Sequence, residues 1–141
     1  NIYSLIIDSY KNEYMPLINY KVGDMVQATK EEYDSFSKNK VVSRMAGREK
    51  DYNKIKLPVT IIDDIFIEFD EILLYQLQYI SKDKFIIRYE TKDFQCISKE
   101  KEEKLLSKIE KLNIGKPQIK HVQAISPERS GKFAIIKFWE E

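Results

Sequence analysis

Apolar residues alternate with polar ones over most of the stretch from Ile65 to Tyr89, and this constrains the fold more than any other feature of the chain. Ile65, Ile67, Phe69, Leu73, Tyr75, Leu77 and Tyr79 share one phase, with only Glu71 intruding. After Ser81-Lys82-Asp83 the alternation resumes at Phe85, Ile87 and Tyr89, with Arg88 and Glu90 on the other phase. A period of two belongs to a strand that buries one face. The pattern therefore predicts a long β-hairpin over about 65–91, with Phe94 to Ile97 adding a short third strand.

Other elements fall around this hairpin. Ile2 to Ile7 and Tyr20 to Gln27 read as strands, the second with Gly23 as a bulge or turn. Thr29-x-x-Glu32 is a capping box that opens a short helix over about 30–38, burying Tyr33 and Phe36, and Val41-Val42 returns to extended chain. Ser98 opens a longer helix over about 98–113, with Leu105, Leu106, Ile109 and Leu112 as its apolar stripe, closed by Gly115 and Pro117. A last hairpin is expected over about 118–125 and 132–139, around the loop Ser126 to Gly131. The fold class is α+β: a mainly antiparallel sheet built from hairpins, with the two helices packed on it. A length of 141 residues suits a single domain, with room for a looser N-terminal subregion over 1–56.

Charge patterning supplies the clearest non-random feature. Lys38, Lys40, Arg44, Arg48, Lys50, Lys54 and Lys56 face only Glu49 and Asp51 over residues 38–56, a net +5. From Leu57 to Ser81 there is no Lys or Arg, and Asp63, Asp64, Glu68, Asp70 and Glu71 give −5. The whole chain is nearly balanced at +1, which argues against a surface that clings to polyanions everywhere. With 20 Lys but only 4 Arg, the chain is poor in the planar forks that read phosphates and guanine edges bidentately. The excess of Lys and Ile matches the coding bias of a low-GC bacterium, its phages or other mobile elements. The single cysteine, Cys96, excludes an intramolecular disulfide and suits a reducing, cytoplasmic setting. No apolar run approaches the roughly 18 residues of a membrane helix. The chain starts at Asn1 rather than methionine, which points to a processed or trimmed piece and leaves a preceding segment open.

Sites for chemistry are few. One Cys and one His do not make a zinc cage. Asp63, Asp64, Glu68, Asp70 and Glu71 supply oxygens enough for magnesium or calcium, but Glu68 and Asp70 on the polar phase read as facing water, so no metal and no cofactor is expected. No nucleophile elbow and no Gly-rich phosphate loop is present, although Arg129 to Lys132 is a candidate anion turn. Glu90-Thr91-Lys92, with Asp70 twenty residues earlier, resembles the acid and Glu-x-Lys of the restriction-endonuclease-like superfamily. That resemblance implies a metal-dependent nuclease with Asp70, Glu90 and Lys92 as catalytic residues. The chain departs from the pattern at Phe69, where Pro is frequent, and Glu-x-Lys arises readily by chance in a chain one-third charged.

Surfaces remain. The basic segment offers Arg44, Arg48, Lys50, Tyr52 and Lys54 as binding residues, for a phosphate backbone, an acidic partner or the chain's own acidic block. Tyr3, Tyr10, Tyr14 and Tyr20 in a polar N-terminal stretch suggest a second, adhesive region. The leading expectation is a small intracellular interaction protein acting through protein–protein contacts rather than an enzyme. A nucleic-acid-binding accessory domain using residues 38–56 is the alternative, and the nuclease is a second one. No membrane partner is expected.

Overall fold

The computed structural model describes residues 1–9, 14–30, 44–129 and 131–138. They form an α+β architecture of seven strands and three helices, in which three of the five strand pairings are antiparallel. The chain divides into two compact units, Asn1–Thr60 and Ile61–Glu141. No helix among the described residues is long and apolar enough to cross a membrane.

The first unit is an antiparallel sheet of β1 (Ile2–Ser9), β2 (Leu17–Gln27) and β3 (Arg44–Arg48), in that order, followed by helix α1 (Glu49–Ile55). Both expected strands are present and longer than their apolar runs. Met25, Val26, Ala28, Ala46 and Val59 are its buried apolar residues. Gly47 has φ +108, and a Cβ there would lie 2.9 Å from Cγ2 of Val59, so this strand end needs glycine for conformation and for space. Helix α1, which the sequence reading did not anticipate, carries Glu49 and Asp51 in its first turn and Lys54 in its last, both favoured by the helix dipole. It stops at Lys56, a left-handed residue whose amide donates to the Tyr52 carbonyl at 2.7 Å. Apart from Lys30, the helix expected over 30–38 lies outside the described residues, as do Val41-Val42.

The second unit contains most of α2 (Val59–Phe66), then β4 (Ile72–Ser81), β5 (Lys84–Thr91), α3 (Lys99–Glu110), β6 (Lys116–His121) and β7 (Ile136–Lys137). The division between units falls inside α2. Its first part corrects the expected hairpin. Residues 65–71 are not strand but the end of α2 and the turns after it. Val59, Ile62, Phe66 and Phe69 are all buried and follow a 3-4-3 spacing, a helical stripe that outcompetes the overlapping alternation. Ile67, on the losing pattern, is 78% exposed. The hairpin itself is β4–β5, and Leu73 is exposed rather than buried because it is an unpaired bulge between the Ile72–Thr91 and Leu74–Glu90 pairs.

One face of the second sheet is the core. Leu77, Tyr79, Phe85, Ile87 and Tyr89 are buried on it, with the Tyr75 ring stacked on Phe66 at a centroid distance of 3.7 Å. Helix α3 forms where expected. Ser98 accepts from the Lys101 amide at 3.3 Å, and Leu105 and Ile109, four residues apart, are fully buried. The Tyr89 hydroxyl donates to Glu102 of this helix at 2.9 Å, and burial raises the ionisation of that phenol above its usual value. Gly115, with φ +129, turns the chain so closely past the Asp83 carbonyl that a Cβ would sit 3.1 Å from its oxygen.

Two further expectations are corrected here. Phe94 to Ile97 is not a strand: Phe94 is left-handed, and the Thr91 hydroxyl donates to the Gln95 carbonyl at 2.7 Å, curling the chain into a turn. The terminal hairpin does not form either. β6 pairs parallel to β5 and β7 pairs parallel to β4, on opposite edges of the order β6-β5-β4-β7. Parallel neighbours need a crossover, which α3 supplies between β5 and β6. Of the residues between β6 and β7, the Ile125 amide donates to Glu90 at 2.7 Å and the Ala134 carbonyl accepts from the Gln76 amide at 2.8 Å.

Candidate functional site

The basic segment does not converge into one site. In the β2–β3 ladder Met25 pairs with Gly47 and Val26 with Met45, which leaves Ala46 as the extra residue of a bulge. One inserted residue reverses the faces beyond it. Arg48 therefore stands opposite Asp24 and Arg44 opposite Gln27, on opposite faces of the sheet. Arg48 pairs with Asp24 at 3.2 Å, and Arg44 donates to the Thr60 carbonyl at 3.3 Å. Lys50 and Lys54 are exposed one turn apart on α1, while Tyr52 is half-buried. Glu49 accepts from Lys21 at 2.7 Å and from Ser4 at 3.2 Å, and the Lys21 ammonium holds its carboxyl below the usual range. Lys38 and Lys40 lie outside the described residues.

Three acids of the acidic block have partners in the second unit. Glu68 pairs with Lys104 and Lys108 of α3, Glu71 pairs with Lys101, and Asp63 accepts from the Tyr75 hydroxyl. The carboxyls of Glu68 and Glu71 are held below their usual range chiefly by Lys108 and Lys101.

The candidate catalytic residues are placed as follows. Asp70 is exposed on the turn before β4, not on a strand. Glu90 lies on β5 and accepts from the Ile125 amide, so its carboxylate anchors the crossing segment. Lys92 is exposed just beyond β5, where its amide donates to the Glu71 carbonyl at 3.1 Å. Among the described residues no three His, Cys, Asp or Glu side chains gather as a metal site. Nε2 of His121 lies 3.3 Å from the Thr91 hydroxyl, and Cys96 is a free, exposed thiol. At the candidate anion turn the Glu128 amide donates to the Lys132 carbonyl at 2.9 Å and the Gly131 amide to the Glu128 carbonyl at 2.8 Å, so these two amides are engaged within the turn.

The N-terminal region is different. β3 pairs with β2 only from Asp24 onward, so Leu17 to Gly23 is joined, among the described residues, to β1 alone. This outer part of β1–β2 is a two-stranded ribbon. Gly23, at φ +83, and Asn19, at φ 50, interrupt its register, and the Asn19 amide is held by Asp8 at 2.6 Å. Ile6 pairs with Lys21 and Ile7 with Tyr20, so Ile6 and Tyr20 stand on opposite faces. Ile6 is 53% exposed, Ile18 62% and Tyr20 51%, and Tyr14 and Met15 near the ribbon's end are more exposed still. Met45 of β3 is also exposed. Of the tyrosines singled out by sequence, Tyr14 and Tyr20 are exposed, Tyr3 is half-buried, and Tyr10 lies outside the described residues. The aliphatic members Ile6 and Ile18 were missed. Their signal was present: Leu5, Ile6 and Ile7 are apolar on both phases, which a strand covered on one face does not need.

No protein-family model matches the chain, and no curated protein matches its sequence.

Proposed function

We propose that the chain is a protein-interaction module that engages another polypeptide through the outer ribbon of β1–β2. The observation that carries this reading is apolar exposure on both faces of a two-stranded ribbon, at Ile6 and Tyr20. Two strands alone are marginal in water, and a ribbon with apolar side chains exposed on both of its faces gains by having a partner cover them. Tyr20 and Tyr14 provide the large, amphipathic rings that anchor protein interfaces. The outward edge of Leu17 to Gly23, which no described strand pairs, offers backbone groups to which a partner strand can add. A cytoplasmic setting agrees with the exposed thiol of Cys96.

The test compares the immobilised wild-type chain with the double variant Ile18→Glu, Tyr20→Glu. A polypeptide retained by wild type should be lost from this variant and kept by Lys50→Glu, Lys54→Glu. Retention by the ribbon variant and loss from the α1 variant would transfer the interface to the basic segment.

A further inference from the structure

The second sheet has two unlike faces. The core face is apolar. On the other, the ladder sets Lys84 beside Lys116, Arg88 beside Lys120, and Ile86 beside Gln118. Across β4 and β7 the rows continue with Gln76 next to Arg88, Gln78 next to Ile86, and Lys137 next to Gln78. Paired residues share a face, so Lys84, Lys116, Lys120 and Lys137 all belong to the side turned away from α3. All four are exposed, and among the described residues none has a carboxylate within ion-pairing distance. The acid of the described strands on that face, Glu90, accepts from the Ile125 amide at 2.7 Å. Asp83, in the β4–β5 turn, lies at the border, where it lines a shallow depression with Glu110 and Lys116. Acids slightly outnumber bases over residues 61–141, so this concentration of cations is a segregation within the unit rather than an average.

We infer that this sheet face is a docking surface for the phosphate backbone of a nucleic-acid duplex, read without regard to sequence. It is independent of the ribbon and goes beyond the protein-interaction reading. Charge complementarity selects an anion, and the residue types select among anions. Lysine is depleted at protein–protein interfaces, whose anchors are aromatic rings and arginine forks, whereas protein–DNA interfaces are strongly positive. The one guanidinium on the face, Arg88, donates to Gln76 at 3.0 Å. The remaining cations are point charges set around Ile86 and the amides of Gln78 and Gln118, with Leu74 exposed beside Glu90, and they suit phosphate and sugar oxygens that impose no fork geometry. The strands present no aromatic ring on this face, so single-strand base stacking has no platform. A duplex also presents twice the charge per unit length of a single strand, which favours it on electrostatics alone.

The experiment measures binding of the full chain to a labelled random-sequence duplex by fluorescence anisotropy across a salt series. Four lysines on phosphates correspond to a slope of about −3.6 in log affinity against log salt. Lys116→Gln with Lys120→Gln should reduce it to about −1.8, as should Lys84→Gln with Lys137→Gln if either pair perturbs folding. Lys50→Gln with Lys54→Gln should leave it unchanged. Absence of binding at low salt overturns the inference, and so does a slope that only the α1 variant alters. Competition by poly-glutamate as effective, charge for charge, as the duplex overturns it in favour of an acidic protein.

Discussion

The Arg88 guanidinium donates to the side-chain oxygen of Gln76 at 3.0 Å, while the Gln76 amide nitrogen donates to the Ala134 carbonyl at 2.8 Å. A single glutamine, only 4% exposed, thus joins β5, β4 and the segment that crosses to β7. Gln76→Leu should therefore cost about 1–3 kcal/mol, since it leaves a carbonyl and a guanidinium without their partner. Urea unfolding measures it. A change within a few tenths of a kcal/mol would show that water replaces both bonds.

Gly47 is the tightest point of the first unit. Gly47→Ala should destabilise by at least about 1 kcal/mol, because φ +108 disfavours any side chain and the new methyl meets Val59 at 2.9 Å. The double variant with Val59→Ala should recover part of the loss by removing the clash but not the backbone strain. Thermal unfolding of the two variants separates these contributions.

The hydroxyl of Thr60 is buried and has no hydrogen-bond partner among the described residues. Thr60→Val keeps the shape and removes the unpaired group, so stability should rise by about 1 kcal/mol. Denaturant midpoints at unchanged m-value check this.

These expectations come from tertiary detail, and it is instructive where the sequence stops short of it. Val59, Ile62, Phe66 and Phe69 carry a helical stripe, while Ile65, Ile67 and Phe69 carry a strand alternation through the same residues. Local pattern cannot arbitrate between them; burial of Ile62 and Phe66 does. A strand was expected over about 118–125 and β6 runs over Lys116–His121, but its parallel partner was not legible, because periodicity names strands and not neighbours. The capping serine and the Leu105–Ile109 stripe of α3 depend on near neighbours and were read correctly. At the candidate sites the same limit applies. The bulge at Ala46, which sends Arg44 and Arg48 to opposite faces, has no sequence signature, so a contiguous run of basic residues read as one surface. Tyr14 and Tyr20 stood out because aromatic residues are conspicuous in a polar stretch; Ile6 and Ile18 looked like ordinary strand residues.

Alkaline pH should unfold the second unit. Burial pushes the Tyr79 phenol up to about 12 from its ordinary 10.0, and burial raises Tyr75 and Tyr89 as well, aided by Asp63 and Glu102. A phenol with a raised folded value stabilises the fold fully below about pH 10, and that contribution is lost as pH climbs from 10 through 12. Tyrosinate absorbance followed alongside circular dichroism should show these three rings ionising together with loss of structure. Smooth ionisation of every tyrosine near pH 10, with the fold intact, would contradict the burial described.

The most direct test of the ribbon as the interaction surface is hydrogen exchange on the full chain, with and without the polypeptide that wild type retains. The expected result is slowed exchange concentrated in residues 17–23, which among the described residues pair with β1 alone, with α3 unchanged. Protection confined to residues 44–56, or to the second unit, with residues 17–23 exchanging as before, would contradict it.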